Sequence, residues 1–304
     1  MGKNKKNNVI KPAFGYFGAK HKLALPIIEH LPPHNAWVDA FCGSAAVTLA
    51  KVPAPIEVIN DINGDVINFF KQLRNHPREL QRLVALTPYS RQELMSAHKD
   101  LKSGNALERA RRFLVSAMMS MNGVFGSDRG GFSYSNSYAR NGMEARVSRW
   151  CNVPKRFERI VERLRRLRIE NQDARELLKQ FLNRPGTLVY LDPPYLVERT
   201  KGYDCDQYDE KFHKELLALA CKAKCMIVIS GYDSSFYNSM LTRKHGWKKI
   251  EIEAHTQGSN GKRFARTEVL WLNKYCHKAR QLKRAPVDLT KREASLGKIN
   301  PERV

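Results

Sequence analysis

The chain of 304 residues is long enough for one large or two modest domains with a sizeable core. Its formal charge of +23, from 53 Lys and Arg against 30 Asp and Glu, indicates a polyanionic partner, with nucleic acid ahead of an acidic membrane surface. No apolar run approaches the ~20 residues of a membrane-spanning helix, and residues 1–6 are too polar for a signal peptide, so a cytoplasmic protein is expected. The six cysteines lack metal-ligand or disulfide spacing, so no metal site is predicted.

The first predicted strand, residues 37–41, leads into a turn of small residues, 42–46, and then a helix. Small side chains let a ligand approach such a helix N-terminus. A second strand, residues 56–60, is followed by Asp61, about 20 residues beyond the turn, where nucleoside-binding α/β folds place a carboxylate for ribose hydroxyls. The chain contains neither G-x-G-x-x-G nor G-x-x-x-x-G-K-[ST], so we predict an adenosine-type ligand that need not carry phosphate.

Residues 75–165 differ in composition from what precedes them. Beyond the predicted helices 65–73 and 107–121, residues 126–138 are polar, Gly-rich and dotted with aromatics, which is typical of loops that contact phosphates and base edges. Residues 155–168 are basic with apolar members at helical spacing, which predicts a helix with one packed face and one face toward phosphate or water. A solvated surface is the alternative for both segments. The candidate nucleic-acid contacts, one of them in a later connection, are Asn122, Ser127, Arg129, Tyr134, Arg156 and Lys262.

The apolar run 187–191 predicts a fully buried strand, and it is followed by Asp192-Pro193-Pro194-Tyr195. In an open α/β sheet ligands bind at the carboxyl ends of the strands, so Asp192 would enter the cleft while the two prolines fix the backbone beyond it. The Asp192 carboxylate and the Pro193 carbonyl are then two acceptors beside an aromatic face. This set suits a flat base with an exocyclic amino group that stacks on Tyr195. The alternative is a turn that merely ends a strand.

The remaining elements complete an α/β pattern. A helix over 211–222 precedes a strand over 226–230, and two further strands, 247–255 and 266–273, are joined by the connection 256–262. We therefore predict a largely parallel, Rossmann-like sheet with a terminal antiparallel hairpin and a mainly helical insertion. The expected division is a discontinuous catalytic domain (9–74 and 166–275), an insertion (75–165) and basic, mobile tails (1–8 and 276–304).

At these motifs the chain resembles the Dam-like S-adenosylmethionine-dependent DNA adenine methyltransferases, from about residue 11 to residue 273. Residues 16–20 are similar to the family's aromatic-Gly-Gly-Lys motif, and residues 41–45 resemble its Phe-x-Gly-x-Gly, with Ala19 and Ala45 in place of the second glycines. Alanine at position 45 would be strained if its backbone were left-handed. The resemblance implies that S-adenosylmethionine contacts Tyr16, Phe17, Gly18, Lys20, Asp39, Phe41, Gly43, Ser44, Asp61, Ile62, Asp173 and Asp192.

The resemblance also implies the reaction and the partner. The enzyme would flip an adenine out of double-stranded DNA, hold its amino group with Asp192 and Pro193, stack it on Tyr195, and transfer the methyl group directly to N6; residues 75–165 would be the target-recognition domain. Three alternatives stay open: transfer to N4 of cytosine, RNA as substrate, and a non-catalytic DNA-binding protein on the same fold. The Arg-x-Asn and Phe-Asn-Val-Pro continuations of GATC-recognising members are missing, so the recognition sequence stays open, as does a structural or functional role for Arg266 and Glu268.

Overall fold

A seven-stranded sheet organises the molecule. The structure is a computed structural model that describes residues 9–16, 18, 20–121, 130–140, 142–195, 209–257 and 263–286. The strands are β1 (Ala36–Asp39), β2 (Ile56–Asn60), β3 (Ala139–Arg140), β4 (Met143–Glu144), β5 (Arg168–Glu170), β6 (Thr187–Leu191), β7 (Met226–Gly231), β8 (Lys248–Gln257) and β9 (Arg263–Leu272). The sheet runs β5-β2-β1-β6-β7-β9-β8, and β3 and β4 form a separate two-stranded hairpin.

The strand order fixes where a ligand can bind. The five strands from β5 to β7 are parallel, whereas β9 runs antiparallel to β7 and to β8. The order reverses between β1 and β6, which pair with Asp39 opposite Tyr190. Connections leave these two neighbouring strands toward opposite sides, so a crevice opens at their carboxyl ends, which is where open α/β sheets bind ligands.

Twelve helices are described within the same ranges, and six of them pack on the two faces of the sheet. They are α1 (Ala24–Glu29), α2 (Ala46–Ala50), α3 (Gly64–Asn75), α4 (Pro77–Leu86), α5 (Arg91–Lys99), α6 (Ala106–Met119), α7 (Ala145–Cys151), α8 (Phe157–Leu164), α9 (Ala174–Phe181), α10 (Glu210–Lys222), α11 (Ser235–Met240) and α12 (Lys274–Leu282). None of them, within the part of the chain that is described, is long and apolar enough to cross a membrane.

Both faces of the sheet are covered, as a parallel sheet requires. On one face α9, α10 and α11 pack against inward side chains such as Val189, Ile227 and Trp271. On the other face α1, α2 and α12 pack against Trp37 and Tyr190. The helices of the insertion share a third apolar cluster with α3, and this cluster continues into β2. The insertion therefore packs against the elements that carry the sheet's carboxyl edge.

The predicted α/β sheet with its terminal hairpin and helical insertion is confirmed. Two local predictions differ from the structure, and one strand was missed. The edge strand β5 was not predicted. The basic helix expected over 155–168 is shorter, because a 3-10 turn precedes α8 and Arg168 already belongs to β5. Residues expected as a mobile arm from position 276 continue as α12 to Leu282, with Cys276 and Ala279 buried against the sheet.

Candidate active site

The side chain of Asp192 lies at the carboxyl end of β6, on the crevice. Its Oδ1 accepts hydrogen bonds from the Lys20 ammonium (2.8 Å) and the Ser230 hydroxyl (2.9 Å), and the Tyr195 hydroxyl is 3.1 Å away. The Ser230 hydroxyl in turn accepts from Tyr190 at 2.9 Å. No described residue donates to Oδ2. One oxygen of the carboxylate is therefore occupied by the protein, and the other is left as an acceptor for a ligand.

Tyr195 is held on three sides. Its single hydroxyl proton is shared between Glu268 (Oε1 at 2.5 Å) and Asp192. The ring packs edge-on against Tyr232 with centroids 4.6 Å apart, and the Lys20 ammonium lies 4.8 Å from the ring centroid. Burial, with the carboxylates of Asp192 and Glu268 beside it, raises the pKa of Tyr195 well above its ordinary value. The phenol therefore stays protonated and keeps its position as a donor.

Lys20 joins the two carboxylates. Its ammonium lies 2.8 Å from Asp192 and 3.6 Å from Glu268, and it also donates to the carbonyl of Gly18 at 3.1 Å. Burial alone would lower the pKa of Lys20, but the two carboxylates more than offset this and raise it. Burial raises the pKa of Glu268, an effect that Lys20 opposes. The residue that the resemblance assigned to the cofactor thus lies, in this structure, against the Asp-Pro-Pro-Tyr motif.

The turn after β1 contains two residues with a left-handed backbone. Gly43 (φ +47°) and Ala45 (φ +54°) are both left-handed, so the strain expected at Ala45 is present. A Cβ on Gly43 would lie 2.7 Å from Cδ1 of Tyr16, because the Tyr16 ring covers the turn. The amides of Gly43 and Asn63 each donate to Asp61 at 2.9 Å. This arrangement ties the turn to the end of β2.

Asp39 carries an incomplete set of partners. Its Oδ2 accepts from the Thr48 hydroxyl at 2.7 Å, while the buried Oδ1 has no partner among the described residues. Burial raises the pKa of Asp39 to about 7, and Asp192 and Asp61 add to this while Thr48 opposes it. A buried carboxylate oxygen without a donor is costly and is rare in folded proteins. A cationic or hydrogen-bonding ligand in the crevice would supply the missing partner.

The other predicted cofactor residues line the same edge. Phe41 is half-buried against Phe212, Ser44 is buried, and Ile62 is 37% exposed directly after Asp61. Burial raises the pKa of Asp61 to about 6. Asp173 begins α9, where it accepts from the Arg175 amide at 2.7 Å and pairs with the Arg175 guanidinium; Phe17 lies outside the described residues.

Comparison with known proteins decides the family. Residues 16–254 match the D12 class N6 adenine-specific DNA methyltransferases, which is most of the chain. The chain belongs to this family. The Type II methyltransferase M1.LlaDCHI of Lactococcus lactis subsp. cremoris is 25% identical over 296 residues, covering 90% of this chain and 98% of the relative. The predicted recognition is thereby confirmed, and so is an enzyme that methylates N6 of adenine in DNA rather than N4 of cytosine.

Two solved structures resemble this chain at lower sequence identity. Precorrin 8W decarboxylase of Methanobacterium thermoautotrophicum is 9% identical, with a TM-score of 0.37 over 87% of this chain and 98% of that chain. A Pyrococcus horikoshii protein described provisionally as an RNA methyltransferase is 8% identical, with a TM-score of 0.34 over 83% of this chain and 79% of that chain.

The candidate DNA contacts of the methyltransferase fall into two groups. Asn122, Ser127, Arg129 and Lys262 lie outside the described residues. Tyr134 is 58% exposed and stacks on Phe132, and the Arg91 guanidinium lies 5.7 Å from its ring centroid. Arg156 is half-buried and donates to the carbonyl of Pro12 at 3.2 Å, so in this structure it supports the N-terminal segment that leads to Tyr16.

Sequence reasoning missed Ser230 and Tyr190 at the active site of the methyltransferase, and it left Glu268 undecided. Ser230 is a polar residue at the end of the otherwise apolar strand β7, next to the strand that carries the motif. A hydroxyl at that place was an available signal. No group of residues within the described ranges has the arrangement of a metal site.

Proposed function

We propose that the methyltransferase binds S-adenosylmethionine at the carboxyl ends of β1 and β2, and that it transfers the methyl group to an adenine flipped out of double-stranded DNA. The observation that carries this proposal is Asp192, which offers a free oxygen on the crevice while three protein groups surround the other. The amino group of an adenine that has left its base pair needs such an acceptor. The aromatic face of Tyr195 beside it suits stacking of an unpaired base.

The residues of the crevice fit the cofactor. S-adenosylmethionine would supply a methyl group carried on a sulfonium sulfur. The unpartnered Oδ1 of Asp39 would pair with the cationic methionine portion, and Gly43, which lacks a Cβ, lets the Tyr16 ring lie directly over the turn. Both Asp61 oxygens already accept one amide, and each keeps a lone pair for a ribose hydroxyl. Ile62, exposed beside Asp61, would cover one face of the adenine ring.

Asp192 acts by orientation and charge in this proposal. The adenine amino group is a poor nucleophile because its lone pair is delocalised into the ring. An acceptor at Oδ2, together with the Pro193 carbonyl, would hold the amino hydrogens and favour a localised lone pair. As the nitrogen took the methyl group, the bond from that methyl to the sulfonium sulfur would break and leave a neutral thioether. The nitrogen would become positively charged, and the nearby carboxylate would stabilise that charge before a proton leaves to water. Holding the reactants in line would supply much of the rate acceleration.

Catalysis and target recognition are assigned to different parts of the chain. We propose that the catalytic part comprises residues 9–74 and 166–275, and that residues 75–165 recognise the target sequence. The exposed Tyr134, with Arg91 beside it, and the hairpin β3–β4 supply aromatic and basic groups suited to DNA. The hairpin leads into α7, whose Arg149 lies close to Gly15 in the segment that covers the cofactor turn. Arg149 therefore connects the proposed recognition region to the segment next to the cofactor turn.

The test is transfer of labelled methyl from S-adenosylmethionine to unmethylated DNA, followed by digestion to nucleosides. Wild-type protein is expected to place label in N6-methyladenine. Asp192→Ala should lose this label and still bind the cofactor. Asp233→Ala, which removes an exposed carboxylate two residues beyond β7, is the matched control and should keep full activity. Label absent from wild-type reactions, with no binding of S-adenosylmethionine, would refute the proposal.

A further inference from the structure

Glu268 is a buried carboxylate whose hydrogen-bond and ion-pair partners are neighbours of Asp192. It lies on β9 and is 3% exposed, and its side chain contacts the Tyr195 hydroxyl at 2.5 Å and the Lys20 ammonium at 3.6 Å. The rest of β9 beyond it is apolar and fully buried through Leu272. A carboxylate in such surroundings costs stability unless it is paired. Both of its partners are residues that surround Asp192.

We propose that Glu268 is a positioning residue for methyl transfer, which keeps the pocket around Asp192 anionic and fixes the Tyr195 ring. This inference rests on the proposed role of Asp192. It concerns a residue outside the Asp-Pro-Pro-Tyr motif, contributed by the antiparallel strand at the far side of β7.

Glu268 changes the net charge around Asp192. Lys20 forms its shortest ion pair, 2.8 Å, with Asp192 and by itself would neutralise that carboxylate. The target nitrogen becomes positive as it takes the methyl group, so a neutral pair would stabilise this charge poorly. Glu268 forms an ion pair with the same Lys20 ammonium and adds a second negative charge. With it, the three groups carry a net charge of about −1, as a lone aspartate would.

Glu268 also fixes the position of the Tyr195 ring. The Tyr195 hydroxyl is 0.6 Å closer to Glu268 than to Asp192, from 2.5 Å and 3.1 Å, so the shared proton lies mainly toward Glu268. The ring is therefore anchored at its hydroxyl end by a strand outside its own loop. Gly231 lies beside the ring, since a Cβ there would be in ordinary contact with Tyr195 at 3.8 Å and in tight contact with Trp271 at 3.2 Å. An anchored ring presents a fixed face to the flipped base.

The test is Glu268→Gln, which keeps the shape and the acceptor for Tyr195 but removes the charge. With cofactor and DNA both saturating, kcat is expected to fall about 10- to 100-fold, while the dissociation constants for DNA and S-adenosylmethionine change little. Glu268→Asp, which keeps the charge, should recover part of the loss. Glu251→Gln on the neighbouring strand β8, whose carboxylate is exposed, is the control and should retain the wild-type kcat.

A double-mutant cycle separates positioning from simple stability. Lys20 links Glu268 to Asp192, so Glu268→Gln should cost clearly less in a Lys20→Met background than in the wild type. An unchanged kcat in Glu268→Gln would overturn the inference, and so would an equal loss in both backgrounds. Methylation by the wild-type protein is measured in the same assay, so its absence would count against the proposed function instead.

Discussion

Ser230 connects two polar groups at the carboxyl edge, since it accepts from Tyr190 and donates to Asp192. Ser230→Ala is expected to lower the free energy of unfolding by about 1–3 kcal/mol, because the buried Tyr190 hydroxyl is left without a partner. Removing that hydroxyl as well, in Tyr190→Phe with Ser230→Ala, should restore part of the loss. Chemical denaturation of the wild type and both variants measures this. A double variant less stable than the single one would contradict the expectation.

Asp39 makes stability depend on pH in a definite direction. Burial raises its pKa to about 7, whereas an unfolded aspartate titrates near ~4. The folded state therefore holds the proton more tightly, so the contribution of Asp39 to stability is full below about pH 4 and is lost as the pH rises through about 7. Asp39→Asn removes this dependence and keeps an acceptor for Thr48.

The stabilities of the cofactor-free wild type and the cofactor-free Asp39→Asn variant should therefore diverge as the pH rises. The variant is expected to be the more stable protein at about pH 8, by a margin that shrinks steadily toward pH 5. Unfolding measured across that range decides it, and parallel pH profiles would show that Asp39 is not the titrating group. If Asp39 pairs with the cationic part of the cofactor, the same variant should also bind S-adenosylmethionine more weakly at every pH in the series.

At the scale of elements, the turn after β1 works only with a small residue under Tyr16. Gly43→Ala places a Cβ 2.7 Å from Tyr16 Cδ1 at a residue with φ +47°, so both backbone strain and a clash are expected. We expect a loss of about 1–3 kcal/mol in stability, together with weaker cofactor binding.

The matched control for this turn is Gly142→Ala. Gly142 has φ +72° and no atom within 4 Å of the added Cβ, so it reports backbone strain alone. Thermal unfolding and cofactor titration of both variants should show the larger stability loss, and the only loss of affinity, in Gly43→Ala. Equal losses in the two variants would mean that contact with Tyr16 contributes nothing.

How far the sequence predicts an element depends on how local its cause is. β6 and β7 are short, mostly apolar segments, so their positions were predictable from the local sequence. β5 has only three residues with charged ends, Arg168 and Glu170, and it becomes a strand by pairing with β2. Such dependence on a distant partner leaves no signal in the segment itself.

The residues of the active site also differ in whether the local sequence predicts them. Asp192 and the residues after it form one continuous motif. Gly43 directly follows a predicted strand, and its spacing in the sequence from Asp61 is typical of nucleoside-binding α/β folds. Glu268 and Ser230 come from strands that meet the motif only in the folded sheet. Their roles depend on register, and register cannot be read from local spacing.

At the scale of the whole molecule, Arg163 ties the end of the insertion to the sheet. This arginine, in a run that the sequence presents as a basic surface, is 4% exposed; it pairs with the buried Glu57 of β2 and donates to the carbonyl of Thr48 at 3.1 Å. Lys51 pairs with the same carboxylate at 2.9 Å. Arg163 is buried because it pairs with Glu57, which is 106 residues away in the chain.

Arg163→Met should therefore destabilise the protein strongly. Removing one member of a buried charge cluster typically costs about 3–5 kcal/mol, because the remaining groups lose compensation. Arg166→Met, three residues along and exposed, is the control and should stay within about 0.5 kcal/mol of the wild type. Denaturant unfolding of the two variants makes the comparison. A loss in Arg163→Met no greater than in the control would show that the cluster does not hold the insertion in place.

The net charge of +23 is carried mainly by the body of the chain. Residues 1–8 hold three lysines, and residues 287–304 hold four basic and three acidic residues, so the ends contribute little of it. Basic residues on the side of the active site should then dominate the dependence of DNA binding on salt. Arg140 is exposed in the hairpin β3–β4 of the proposed recognition region, whereas Lys224 precedes β7 at the edge of the sheet opposite the carboxyl ends of the parallel strands.

Arg140→Gln is expected to reduce the slope of log K against log salt concentration by about 0.9, the effect of one phosphate contact, with a similar change on specific and non-specific DNA. Lys224→Gln removes the same charge from the far edge and should leave the slope unchanged. Binding isotherms at several salt concentrations for both variants test this. If Lys224→Gln changed the slope as much as Arg140→Gln, DNA would contact both edges of the sheet, and the field of the whole molecule rather than one face would set its affinity.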